Sequence, residues 1–240
     1  MKKYQMTNQT AEAVEKSLRT EASEQRAKDL SRFFKTGKGD YGEGDVFLGV
    51  SVPQQREVAK GFTDCPLSEI ARLLESSIHE CRLTGLIILV SQFKKASEED
   101  KKKIFEFYFK HSKKINNWDL VDLSAHKIVG EYLLGKDVSV LNKLATSDNL
   151  WQRRISIIAT FAFINKGQFN KSLELAQILL HDRHDLIQKA VGWMLREIGK
   201  RDEKVLIQFL DKHAKTMPRT MLRYAIEKLD EKKKKFYLAR

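Results

Sequence analysis

The chain has 240 residues, of which 42% are hydrophobic, so it is long enough to bury a sizeable core. Lys and Arg number 44 against 32 Asp and Glu, and the formal net charge of +12 favours a polyanion such as nucleic acid, or an anionic membrane surface. Apolar runs are far shorter than the roughly 20 residues that cross a bilayer, and no apolar signal segment opens the sequence. We therefore expect a cytoplasmic, monomeric protein with a single domain over residues 1–240. A protein that is merely soluble and basic is the simpler alternative.

Helical periodicity runs through almost the whole sequence. Only 3 prolines and 12 glycines interrupt it, so the predicted fold class is all-α. Ser97 before acidic residues, Ser147 or Asp148 before the next Trp-bearing segment, and Pro218 are typical helix-start signals. In chain order, the predicted helices cover residues 8–34, 53–61, 67–75, 79–94, 98–112, 117–134, 138–146, 149–165, 169–180, 184–199, 202–212, and 218 to the end.

Landmark residues recur at a regular distance in the second half of the chain. Trp118 and Arg154 are 36 residues apart, and Arg154 and Trp193 are 39 apart. Both distances are close to the period of roughly 40 residues in HEAT-type two-helix repeats. Successive repeats stack side by side, and matching positions then line one surface. We therefore predict a right-handed α-solenoid of HEAT-like two-helix repeats with a concave DNA-binding surface.

Several clusters imitate functional motifs but are interpreted as structural. The glycines of Gly37–Gly42 have dinucleotide-binding spacing, but a helical pattern precedes them where a strand is required, so we predict a loop. A basic residue interrupts the metal-ligand types of His181–Asp185, which is predicted to be a helix junction with an Asp cap. Lys232–Lys235 is predicted to be a solvated helix end. Cys65 and Cys81 lack paired spacing and are predicted to be small buried side chains.

Trp118 and Asp122 are predicted to share one face of a helix that begins near Asn117. At about 100° per residue they lie within about 40° of each other, one turn apart, while Leu120 and Leu123 point roughly the opposite way. The two leucines would then serve the core, and the ring and the carboxylate would face a groove. Burial of Trp118 in the core is the alternative.

Arg154 falls within an apolar stripe of the next Trp-bearing helix. An unpaired guanidinium in a core would cost several kcal/mol, so Arg154 must either pair with a carboxylate or reach a phosphate at a groove edge. Trp151 in the same stripe is predicted to belong to the core. The other stripe residues are Ile158, Phe161 and Ala162.

Trp193 lies opposite the predicted core face of its helix. Lys189 precedes it by one turn and Arg196 follows at the next, so the ring is flanked by two cations. Such a tryptophan either stacks on a ligand or packs against a neighbouring repeat. The core face consists of Ile187, Val191, Met194, Leu195 and Ile198.

Five motifs carry a resemblance to a known family. They are Tyr41–Asp45, Phe47–Pro53, Trp118–Asp122, Trp151–Arg154 and Gly192–Glu197. Over nearly its whole length the chain resembles the AlkD-type DNA glycosylases, the HEAT-like family of DNA alkylation repair enzymes. The resemblance implies a catalytic cleft formed by Trp118, Asp122, Arg154 and Trp193. It also implies contacts to the DNA backbone by Lys189, Arg196, Arg219 and Arg223. Either Arg153 or Arg154 could be the arginine that faces the groove, and the three-residue offset from Trp151 favours Arg154.

The implied activity is hydrolysis of the N-glycosidic bond of purines alkylated at N3 or N7 in duplex DNA, with no metal or organic cofactor. Because the cationic base is already a good leaving group, Asp122 would stabilise the oxocarbenium character of the sugar and position water. Trp118 and Trp193 would present electron-rich faces to the cation. Two rival hypotheses are a non-catalytic HEAT-like binder of DNA structures and a protein-interaction solenoid.

Overall fold

The computed structural model describes residues 8–239, and within that range the regular structure is helical apart from an isolated parallel β-bridge between Val46 and Ile78. The predicted all-α class is confirmed. The helices form two compact units, one ending at Ser124 and the other beginning at Ala125. A single domain over residues 1–240 remains a prediction. No helix between residues 8 and 239 is both long and apolar enough to cross a membrane.

The first unit is built around one long helix, α5, which is buried on nearly all sides and packs against α1, α3, α4 and α6. Its helices are α1 Ala11–Arg19, α2 Glu24–Phe33, α3 Val52–Lys60, α4 Leu67–Glu75, α5 His79–Lys95, α6 Glu98–Lys110 and α7 Trp118–Ala125. The predicted helix over residues 8–34 is therefore wrong in one respect. It breaks after Arg19, and Ser23 begins α2 by accepting a hydrogen bond from the backbone of Arg26. Ser97 caps α6 as predicted.

The second unit begins at Ala125, the last residue of α7. A π-helical turn, His126–Gly130, follows and interrupts the predicted helix over residues 117–134. Its α-helices are α8 Glu131–Leu133, α9 Ser139–Ala145, α10 Leu150–Ala159, α11 Phe161–Asn165, α12 Asn170–Ile178, α13 Asp185–Gly199, α14 Glu203–His213, α15 Arg219–Ile226 and α16 Glu231–Leu238. The predicted cap of α10 by Ser147 or Asp148 is wrong, because the side chain of Asn149 accepts the N–H groups of the first turn. Pro218 directly precedes α15.

Helix pairs repeat along the second unit. α9 packs on α10, and α12 packs on α13. α14, which precedes α15 in the chain, also packs on α13. The later helix of each pair, here called the second helix, is α10, α13 or α15, and α13 packs on both α10 and α15. These second helices begin at Leu150, Asp185 and Arg219, which are 35 and 34 residues apart. Side-by-side stacking of helix pairs is the arrangement of an α-solenoid. It places Arg154 and Trp193 on successive second helices.

The structural interpretations of the minor clusters are confirmed. Gly37–Gly42 lies in turns between α2 and α3. His181–Asp185 lies at the junction before α13, whose cap is the His184 side chain and not the predicted Asp. Cys65 and Cys81 are both buried, and burial raises the pKa of their thiols to about 11 and about 12. The four lysines lie on α16.

Gly192 allows α13 and α15 to approach closely. A Cβ atom at this position would lie 2.5 Å from both the carbonyl oxygen of Met221 and Cβ of Tyr224. Gly192→Ala is therefore expected to lower the free energy of unfolding by about 1–3 kcal/mol, although alanine is the better helix former. Thermal denaturation followed by circular dichroism measures the loss.

Gly199→Ala on the same helix is the matched control. A Cβ atom there would mainly meet the flexible end of the Leu206 side chain, so a smaller loss is expected. A melting temperature for Gly192→Ala at or above that of the unaltered protein would contradict the close packing of α13 on α15.

Candidate nucleic-acid interface

α7 presents Trp118 and Asp122 on the side that the core does not use. Both residues are half-buried, one turn apart, whereas Leu120 and Val121 are fully buried. The predicted core role of Leu123 is wrong in part, since that side chain is only half-buried. The helix nevertheless places a ring and a carboxylate side by side at the surface of the first unit.

The Trp118 ring is held by aromatic contacts from the end of α2. It stacks on Phe34 with ring centroids 5.2 Å apart and planes 15° apart, and Phe33 meets its edge at 5.9 Å. The stack occupies one face of the indole. Phe33 is 64% exposed, which is unusual for a phenylalanine and extends the apolar surface beside Trp118.

Asp122 lies beside the buried hydroxyl group of Tyr108. That hydroxyl is hydrogen-bonded to Ser124 at 2.8 Å, and the Ser124 hydroxyl donates to the carbonyl of Leu120. Burial raises the pKa of Tyr108, and the negative charge of Asp122 raises it further. Tyr108 therefore keeps its proton, and its hydroxyl fixes the backbone that carries Asp122.

A buried polar network anchors the first residues of α7. The Asn117 side chain accepts the N–H of Trp118 at 2.8 Å and donates to Asp45 at 3.2 Å. His79, 2% exposed, lies between two carboxylates: Nδ1 is 3.1 Å from Asp45 and Nε2 is 2.8 Å from Asp119. The network links the loop before α3 to the residue that follows Trp118.

Arg82 completes this network from α5. Its guanidinium donates to Asp45 at 2.6 Å and to the Ser76 carbonyl at 2.9 Å. Burial works against ionisation of Asp45, but hydrogen bonds from His79 and the charge of Arg82 together lower its pKa. Sequence reasoning missed His79 and Arg82, and their local signal is a run of polar residues in the first turn of a helix that is apolar through its middle.

In the second unit, the two adjacent arginines of α10 have different surroundings. Arg154 is buried, with 5% exposed, and its guanidinium donates to the carbonyl of Leu186 at the start of α13. Arg153 is half-buried, forms an ion pair with Asp182 at 2.7 Å, and donates to the carbonyl oxygens of residues 147 and 148. Trp151 is buried, as predicted. Arg153 thus joins α10 to the segment before α13.

Trp193 is half-buried and contacts an aromatic neighbour. Its ring lies 5.9 Å from that of Phe161, tilted by 46°, so part of the indole is used in packing within the second unit. The two cations that flank it are paired: Lys189 with Asp185 at 2.8 Å, and Arg196 with Glu227. Such partly exposed ion pairs are each worth about 0–1 kcal/mol, so a DNA phosphate can compete for these cations.

α15 carries the remaining predicted backbone contacts. Arg219 is exposed and donates to the carbonyl of Leu238 at the end of α16 at 2.7 Å. Arg223 is exposed and has no ion pair within residues 8–239. The structure thus places Trp118 and Asp122 together in the first unit, and the predicted cations with Trp193 on the stacked second helices of the other.

Paired helices that stack side by side define a helical-repeat protein of the α-solenoid class. Within that class, residues 14–229 match the family model described as DNA alkylation repair enzyme. The match covers most of the chain, so the protein belongs to the DNA alkylation repair enzyme family, which assigns it a role in DNA repair. No curated protein matches the chain.

Two solved structures have a similar fold. One is a predicted DNA alkylation repair enzyme from Enterococcus faecalis, with a TM-score of 0.68 and 16% identity over 88% of this chain and 98% of that one. The other is smu.31 from Streptococcus mutans UA159, with a TM-score of 0.54 and 16% identity over 92% and 99% of the two chains. At this identity the likeness shows the fold alone.

Proposed function

We propose that the protein is a DNA glycosylase of base excision repair that hydrolyses the N-glycosidic bond of cationic purines alkylated at N3 or N7 in duplex DNA. The observation that carries the proposal is the pair formed by Trp118 and Asp122 on the surface of α7. A half-buried carboxylate beside an aromatic ring adds little to the stability of a helix. It is suited to a reaction centre that carries positive charge.

The proposed reaction requires two things of the protein: stabilisation of the developing charge and positioning of the water. As the bond between the sugar C1′ and the purine nitrogen breaks, the bonding electrons neutralise the cationic base, and positive charge develops on the deoxyribose. Asp122 stabilises that charge, orients the water that attacks C1′ and takes up its proton. The face of the Trp118 ring opposite Phe34 is proposed to contribute a cation–π interaction of about 1–2 kcal/mol. No step calls for a metal or an organic cofactor.

The residues of the second unit are assigned to binding. Trp193 would offer the part of its ring that Phe161 does not occupy. Arg154 is buried on α10 and held by the Leu186 carbonyl, so it would reach the nucleotide backbone by exchanging that hydrogen bond. Contacts to phosphates make binding sensitive to salt and indifferent to sequence. The proposed phosphate ligands are Lys189, Arg196, Arg219 and Arg223, with Arg153 contributing should its ion pair to Asp182 open. We further propose a cytoplasmic monomer.

The test is release of free base from duplex DNA that contains 7-methylguanine. The protein is expected to release 7-methylguanine well above the rate of spontaneous loss, leaving an abasic site that alkali cleaves. The released base is quantified by chromatography, with DNA alone and an undamaged duplex as controls.

Binding to the same duplex separates the rival hypotheses. We expect affinity to fall steeply between about 50 and 200 mM salt, with a similar slope for damaged and undamaged DNA. Salt-sensitive binding without base release would favour a non-catalytic binder of DNA structures. Absence of both would leave the protein-interaction solenoid.

A further inference from the structure

We propose that His79 is a positioning residue: its imidazole ties Asp45 to Asp119 and thereby fixes the orientation of Trp118. The inference rests on the proposed function for its catalytic consequence, but the positioning itself is a property of the first unit. His79 acts on the Trp118 ring through two neighbouring residues, Asp119 and Phe34.

Two separate routes connect His79 to Trp118. The polar route runs from Nε2 to the Asp119 carboxylate at 2.8 Å, and Asp119 directly follows Trp118 on α7. The aromatic route runs through Phe34, whose ring is 4.9 Å from the imidazole and 5.2 Å from the indole. Phe47 covers the imidazole as well, at 4.7 Å. The imidazole, Phe34 and Trp118 are consecutive rings of one aromatic cluster.

The hydrogen-bond geometry favours two ring protons on His79. Both of its nitrogens are within hydrogen-bond distance of a carboxylate, and ionised carboxylates only accept. A neutral imidazole has one N–H and would leave a lone pair facing an oxygen of Asp45 or Asp119. The imidazolium satisfies both partners, so the bridge exists in full only in the protonated form.

Three charged groups surround His79. Asp45 comes from the loop before α3, Asp119 from α7, and Arg82, whose Nη2 is 3.5 Å from Nδ1, from the same helix as His79. Burial and the charge of Arg82 oppose protonation, but the charge and hydrogen bond of Asp119 and the hydrogen bond of Asp45 outweigh them and raise the pKa of His79 to about 9. The bridge therefore stabilises the fold fully below pH about 6.5, and its contribution is lost as the pH rises through about 9.

Fluorescence of Trp118 tests the positioning without any assay of activity. In a protein that retains Trp118 alone, made by Trp151→Phe and Trp193→Phe, the emission is expected to shift with a midpoint near pH 9. The same background with His79→Gln should show the high-pH emission at every pH. A protein that retains Trp193 alone is the control and should show no such transition.

Base release then tests the consequence for the reaction. His79→Gln is expected to lower the single-turnover rate at pH 7.5 by at least about tenfold while affinity for the duplex is retained. His111→Gln is the matched control, because His111 bonds only locally, to the Phe107 carbonyl at 2.9 Å. Helix content measured by circular dichroism confirms that each variant is folded.

The possible outcomes are separable. Trp118 emission that is unchanged between pH 7 and 10 in the folded protein containing His79 would overturn the proposal, whatever the state of the variant. A shift in emission together with unaltered base release in His79→Gln would overturn the catalytic consequence. If the unaltered protein releases no base, the proposed function fails, while the fluorescence titration still decides the role of His79.

Discussion

Asp122→Asn is expected to slow the release of 7-methylguanine from duplex DNA on the order of 100-fold or more. Asparagine has nearly the same size and shape as aspartate, so the fold around Tyr108 and Ser124 should be kept. It carries no charge, however, and cannot stabilise the oxocarbenium character of the sugar or take a proton from water. The single-turnover rate, measured with protein in excess over DNA, reports the chemical step.

Binding distinguishes a catalytic carboxylate from a structural one. Removal of a negative charge near the DNA backbone should leave the affinity for the duplex unchanged or increase it. Asp64→Asn is the matched control, since Asp64 is an exposed residue of the same unit and the same charge is lost. Equal rates of base release by Asp122→Asn and Asp64→Asn would remove Asp122 from the mechanism.

Local periodicity was sufficient to predict most of the helices, because an amphipathic pattern and a few caps determine where a helix can form. It failed where the backbone changes course without a strong breaker. The predicted helix over residues 8–34 ends after Arg19, and the predicted helix over residues 149–165 is interrupted at Thr160. Neither residue is a glycine or a proline. Asn149 was overlooked as the cap of α10 because two other capping residues directly precede it.

The candidate site shows the same division between local and distant information. Trp118 and Asp122 are one turn apart, so helix geometry alone places them together. The buried face of α7 differs from the predicted face by a rotation of about one residue. Val121 is buried with Leu120, whereas Leu123, which was predicted to be buried, is half-buried. That rotation depends on what α7 packs against.

The network beneath Trp118 depends entirely on tertiary structure. His79 and Asp119 are 40 residues apart, and Asn117 and Asp45 are 72 apart. No spacing rule connects such pairs in a single sequence. The contribution of these contacts depends on burial. A histidine between two carboxylates at the surface would add little to stability, whereas a buried one needs a hydrogen-bond partner at both ring nitrogens.

Glu80→Ala is expected to lower the free energy of unfolding by about 3–5 kcal/mol. The carboxylate of Glu80 is 1% exposed and accepts the backbone N–H groups of Leu48, Gly49 and Val50 at 2.8–3.2 Å. Without it, three donors in a buried loop lose their acceptor. Gly49 has φ +79°, and a Cβ atom there would lie 2.2 Å from the Ser23 carbonyl, so the loop packs closely against the start of α2.

Urea denaturation followed by circular dichroism measures this loss, and two further variants define its cause. Glu57→Ala removes an exposed carboxylate that pairs with Lys60, and it should change stability by less than about 0.5 kcal/mol. Glu80→Gln keeps one acceptor oxygen but turns an amide N–H₂ towards the loop, so an intermediate loss is expected. A loss for Glu80→Ala as small as that for Glu57→Ala would show that water replaces the carboxylate.

The loop carries Asp45 and Phe47, both of which contact His79. A destabilised loop should therefore also loosen the support of Trp118 and slow base release.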